Sequence, residues 1–110
     1  MEYIILPSKS KIYLPERGYF KKGDSGESIE LISSFLAINF MGIENKINVK
    51  IDDMLGNYFG VNLEKWIQEF QRENGLKPDG CIGSITLNKL KEYGFTAWSW
   101  YYETSSKINC

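Results

Sequence analysis

Three stretches of this chain place apolar side chains at helical spacing, and each is followed by a glycine and then another apolar residue. Ile29, Ile32, Leu36 and Phe40 form the first run, with Leu31, Phe35 and Ile38 widening the stripe. Leu63, Trp66, Ile67 and Phe70 form the second, and Leu87, Leu90 and Tyr93 the third. Side chains three and four apart share one face of an α-helix, so the pattern predicts three amphipathic helices whose faces meet in a single core. The runs end at Gly42-Ile43, Gly75-Leu76 and Gly94-Phe95. A glycine just past a helix adopts the left-handed conformation that gives the last carbonyls their donors, and the next apolar residue folds back on the final turn. That logic pairs Leu76 with Phe70 and Phe95 with Leu90.

Start signals complete the helices. Asp24, followed three residues later by Glu27, fits an N-terminal cap with a return bond for the first helix. Gly60 and Gly83 stand just before the second and third. Between the first two helices Ile47, Val49 and Ile51 alternate with polar neighbours, in a link long enough to hold a short strand or a functional loop. Tyr3-Ile4-Ile5-Leu6 and Lys11-Ile12-Tyr13-Leu14, each followed by proline, read as short extended pieces. The tail Ala97-Trp98-Ser99-Trp100-Tyr101-Tyr102 is dense in aromatics and must pack on something or recruit something. The expected organisation is an N-terminal extension over residues 1–20, an all-α three-helix domain over 21–95, and an aromatic C-terminal tail over 96–110.

At 110 residues there is room for one core and one task. A hydrophobic content of 43% with 25% charged residues is that of a folded globular chain. Thirteen basic against fourteen acidic residues leave a net charge of −1, which provides no general attraction to nucleic-acid phosphates or anionic lipid. Neither a nucleic-acid nor a membrane partner is expected. The opening apolar run is brief and lacks a basic start, so synthesis in the cytoplasm without a signal peptide is the expectation. The two cysteines, Cys81 and Cys110, lie far apart without metal-ligand spacing and read as free thiols. There is no histidine, which removes the usual histidine-bearing zinc sites and every Ser-His or Cys-His nucleophile pair. A glycosidase needs only two carboxylates, but also a cleft that a helical domain this small scarcely provides. The expectation is a protein that binds without catalysing and needs no cofactor or metal.

A repeat sharpens this reading. Gly56-Asn57-Tyr58-Phe59-Gly60-Val61-Asn62-Leu63 and Asp79-Gly80-Cys81-Ile82-Gly83-Ser84-Ile85-Thr86 introduce the second and third helices at a constant offset. Gly60 falls on Gly83, Phe59 on Ile82, Leu63 on Thr86 and Ile67 on Leu90. Each unit has a turn that a glycine makes tight, an apolar plug, and a second glycine where the chain enters the helix. Gly23-Asp24-Ser25-Gly26 leading to Ile29 and Ile32, then Phe70-Gln71 with Gly75-Leu76, then the Asp79 to Thr86 string with Leu90, resembles the peptidoglycan-binding domain family of endolysins, autolysins and cell-wall hydrolases. The resemblance runs over about residues 21–95 and is densest in the second unit. In the first, Gly56-Asn57 stands where the family tends to have Asp-Gly, and Leu63 where it tends to have Thr.

The resemblance implies a three-helix fold and non-covalent recognition of peptidoglycan, with catalysis supplied by a separate hydrolase domain. The chain would then act at the bacterial cell wall as a domain, fragment or accessory subunit of a lytic enzyme such as a bacteriophage endolysin. Its partners would be peptidoglycan and either a hydrolase catalytic domain or a second copy held through the tail. Five residues are candidates for ligand contact. Tyr58 is expected to face outward while Phe59 plugs the core. The amide of Gln71 offers donor and acceptor to a peptide stem, although a glutamine that is solvated or bonds a turn is the commoner case. Asp79, Gly80 and Thr86 form the second turn, where shaping the loop is their commoner role. Trp98 and Trp100 suit packing or an interface better than sugar stacking. The alternative is a structural or regulatory protein that uses the same helical fold to bind a protein partner.

Overall fold

The computed structural model describes residues 12–95. In chain order the elements are β1 (Tyr19–Phe20), α1 (Glu27–Asn39), α2 (Gly42–Ile47), α3 (Ile51–Met54), α4 (Val61–Glu73), β2 (Ile82–Gly83) and α5 (Ser84–Glu92). The fold is mostly helical, and α1, α4 and α5 are the three helices that the apolar period predicts. The extended reading of residues 3–6 and the aromatic tail, with Trp98, Trp100 and Cys110, lie outside the described residues.

Two further helices, α2 and α3, occupy the link whose length allowed a short strand or a functional loop. Their apolar side chains are helically spaced against α4: Ile43 and Met54 are buried, and Ile47 and Ile51 pack partly against the same core. The apparent alternation of Ile47, Val49 and Ile51 comes from the end of one helix, a connection and the start of the next. Asn48, left-handed at φ 56°, separates them, and the Glu44 carboxylate accepts the Ile51 N–H at 3.0 Å to begin α3. The buried Trp66 indole donates to the Val49 carbonyl at 2.9 Å, which fastens the link to α4. Lys46 and Glu73 add an ion pair between α2 and α4 at 2.5 Å.

Two helix ends follow the expected chemistry and one does not. Beyond α4, Leu76 N–H reaches the Gln71 carbonyl at 2.8 Å and Gly75 N–H the Arg72 carbonyl at 3.3 Å, with Gly75 at φ 74°. Beyond α5, Phe95 N–H reaches Leu90 and Gly94 N–H reaches Lys91, with Gly94 at φ 109°. Both are paired bonds about a left-handed glycine. Gly42 instead opens α2, while α1 closes through Phe40 N–H on the Leu36 carbonyl at 2.8 Å.

The start of α1 also differs from expectation. Gly26 occupies the cap position without a side-chain bond. Asp24 closes the preceding turn, accepting the Lys21 N–H at 2.9 Å and pairing with Arg17. Its backbone is committed elsewhere, because residues 23–26 run antiparallel to residues 57–59. Ile38 does not extend the buried stripe and is 72% exposed. At about 100° per residue it lies half a turn away from Ile29, on the opposite side of α1.

The core takes in Phe59, Trp66, Phe70, Ile29, Ile32, Leu36, Leu63, Ile67 and Ile82, all fully buried. Each such side chain contributes about 1.5–3 kcal/mol relative to an exposed position. Ile12 and Phe20 are buried in the same core, and β1 pairs antiparallel with β2, Tyr19 opposite Gly83 and Phe20 opposite Ile82. Residues 12–20 therefore pack with the helices. Phe95 is buried and its ring meets Phe35 at 5.1 Å, while Tyr93 sets its edge against Phe40 at 4.9 Å.

Candidate functional site

The two repeated turns are each held from behind by one buried polar side chain on the preceding long helix. For the second turn that side chain is Gln71 of α4, which has no solvent exposure. Its carbonyl oxygen accepts the Gly80 N–H at 2.9 Å. Its amide nitrogen donates toward the Cys81 carbonyl at 2.8 Å, Thr86 Oγ1 at 3.0 Å and Asp79 Oδ1 at 3.2 Å. Asp79 Oδ1 also accepts the Cys81 N–H at 3.0 Å, closing a short turn on itself. Gly80 sits at φ 78°, and a Cβ there would lie 2.9 Å from Cγ of Glu64. Backbone conformation and close approach both require glycine at this point.

For the first turn the anchor is Ser33 of α1, also without exposure. Its hydroxyl oxygen accepts the Gly56 N–H at 3.1 Å and lies within bonding distance of two carbonyls, Gly56 at 3.0 Å and Glu30 at 3.2 Å. The following residues are clamped by backbone bonds: Phe59 N–H to the Asp24 carbonyl, Gly23 N–H to the Phe59 carbonyl and Gly26 N–H to the Asn57 carbonyl, each at 2.8 Å. An extended chain held this way sends successive side chains to opposite sides. Phe59 enters the core with no exposure and Tyr58 stands out at 59%.

A groove of about 360 Å³ opens at this first turn, lined by residues 53–58 and 60–63. Asp53, Asn57, Tyr58 and Asn62 supply its polar groups, and neither lysine nor arginine lines it. The Asn62 amide donates to the Asp53 carbonyl at 3.2 Å and so ties α4 to α3 at the groove. The Asp53 carboxylate, the Asn57 amide and the Tyr58 hydroxyl have no bonding partner among the described residues, which leaves them to a ligand or to solvent.

The five candidate residues therefore fall in two places. Gln71, Asp79, Gly80 and Thr86 come together in one internal network behind the second turn, where the Gln71 amide is committed on both its oxygen and its nitrogen. Tyr58 lies on the groove of the first turn, among residues that sequence reasoning passed over: Asp53, Asn57 and Asn62. Ser33 was missed as well. A serine inside the buried stripe, next to Ile32 and one turn before Leu36 and Ala37, was the available signal.

Beside the groove the Arg17–Asp24 pair braces the strand that carries residues 23–26. Burial pushes the Asp24 carboxyl up, but the Arg17 hydrogen bond, the Lys21 N–H and the neighbouring positive charges outweigh it and hold the group below its ordinary value. The Arg17 guanidinium is correspondingly raised, chiefly by its bond to Asp24. Among the described residues no three His, Cys, Asp or Glu side chains gather as a metal site.

Comparison with known families agrees with the motif reading. Residues 39–90 match the family model described as "Putative peptidoglycan binding domain", which runs from the last residue of α1 through α2, α3, α4 and β2 into α5. This segment is therefore similar to a peptidoglycan-binding domain, a family of binding and not catalytic domains. The match spans both turns and the whole groove. No curated protein and no solved structure matches the chain.

Proposed function

We propose that this protein is a non-catalytic module that binds peptidoglycan through the first-turn groove. The observation that carries the reading is the coincidence of the family segment with a groove whose exposed tyrosine is held rigidly outward by the clamped backbone on either side. A repeated polar glycan bearing peptide stems is bound by apolar stacking plus a few directed hydrogen bonds. Tyr58 supplies the first, and Asn57 and Asp53 the second. The second turn, with its polar groups bonded internally, serves as the scaffold of α4 and α5 and stays out of direct recognition.

Affinity for a single site is modest on this reading, and attachment to a lytic enzyme such as a phage endolysin, or self-association, would raise it by multivalency at the wall. The test is co-sedimentation of the full chain with purified sacculi. Tyr58→Ala should lower retention about tenfold while leaving the thermal midpoint unchanged, in line with loss of one exposed stacking residue. Retention of Tyr58→Ala equal to that of the wild type would remove the groove from the account. Absence of retention for the wild type would favour a protein partner on the same fold.

A further inference from the structure

The groove has a chemical selectivity that a general affinity for wall polymer does not specify. Its lining contains one ionisable carboxylate, Asp53, one exposed aromatic ring, Tyr58, and the amides Asn57 and Asn62, with no cationic side chain among the lining residues. The Asp53 side chain has no ion-pair or hydrogen-bond partner among the described residues, although five other ion pairs occur there. A carboxylate and an exposed tyrosine ring lining one groove are complementary to a compact cation, because charge attraction and the ring quadrupole both favour it. It repels anionic groups equally directly.

Building on the peptidoglycan reading, we propose that the groove recognises the free primary ammonium groups of the wall's peptide stems, seated between the Asp53 carboxylate and the Tyr58 ring. Asn57 then bonds the adjoining stem amide. The stem carboxylates, which carry the opposite charge, are turned away from Asp53. Wall polymer whose amines are free is bound in preference to polymer whose amines are consumed by cross-linking or acylation. The module thereby favours the less cross-linked parts of the wall.

The experiment compares the full chain on two preparations of the same sacculi, one untouched and one whose amines have been N-acetylated with acetic anhydride. Wild-type protein should bind the acetylated wall about three- to tenfold more weakly, the range expected for one solvent-accessible ion pair with a cation–π contact. Asp53→Asn should bind both preparations alike, at the level of wild type on acetylated wall, and rising salt should erode only the wild type's preference. A thermal melt of Asp53→Asn matching wild type separates this from misfolding. Equal wild-type binding to the two preparations, or a preference that survives in Asp53→Asn, overturns the ammonium assignment while retention and its Tyr58 dependence leave the wall-binding reading in place. No retention on either preparation overturns both.

Discussion

Replacing Gln71 with leucine removes the amide that organises the second turn while keeping side-chain volume nearly constant. In the variant the Gly80 N–H, buried against α4, loses its acceptor at 2.9 Å, and the Cys81 carbonyl and Thr86 hydroxyl lose a donor. An unsatisfied buried N–H costs about 1–3 kcal/mol, and each lost neutral hydrogen bond about 0.5–1.5 kcal/mol. Allowing for rearrangement, the variant should be destabilised by about 3 kcal/mol. A domain of this size has on the order of 5–15 kcal/mol in total, so the loss is a large fraction. The thermal midpoint should fall by roughly 10–20 °C. Urea denaturation followed by circular dichroism measures the difference, with Lys65→Ala on the exposed side of α4 as control, expected within about 0.5 kcal/mol of wild type. A Gln71→Leu variant as stable as that control would refute the reasoning that the network holds the turn.

Ser33→Ala should cost about 1–2 kcal/mol by orphaning the Gly56 N–H, and it should also weaken retention on sacculi, since Gly56 lines the groove; a variant with lowered stability but wild-type retention would separate the two. Gly80→Ala should destabilise by about 2 kcal/mol or more, combining left-handed strain with a collision on Glu64, whereas Gly94→Ala, whose Cβ meets nothing within 4 Å, should cost only about 1 kcal/mol of strain; chemical denaturation of both checks the order. The Asp24 carboxyl is held below its unfolded value of about 3.9. Its contribution is therefore fully present above that pH and is lost as pH falls through the lower folded value. The stability difference between wild type and Asp24→Asn should stay constant from neutral pH down to about 5 and shrink only below about 4; a difference that vanished near pH 7 would contradict the Arg17–Asp24 assignment.

The long helices were legible because their signal is local. Apolar spacing marks α1, α4 and α5, and Gly75-Leu76 and Gly94-Phe95 mark two of their ends. What the sequence hid depends on contacts between distant residues. Asp24 and Glu27 spell a cap, yet the pairing of residues 23–26 with residues 57–59 claims that backbone and leaves the cap to Gly26. Ile47, Val49 and Ile51 spell a strand, yet α4 offers a helical surface and Asn48 accepts the left-handed bend that divides α2 from α3. Gly42 has the composition of a terminator but opens the next helix. The site divides along the same line. The outward Tyr58 and inward Phe59 follow from alternation in an extended chain. The groove's Asp53, Asn57 and Asn62 are brought together by the packing of α3 against α4, which no local spacing announces. Gln71, read as a residue for ligand or turn, is seen in the structure bonding the turn.

The measurement closest to the central claim is a binding isotherm of the full chain on insoluble peptidoglycan sacculi from several bacteria, washed and compared with the supernatant. The account predicts saturable retention on at least one wall type that Tyr58→Ala abolishes or weakens about tenfold, and that Lys65→Ala leaves intact. Protein that stays wholly in the supernatant with every wall would contradict it.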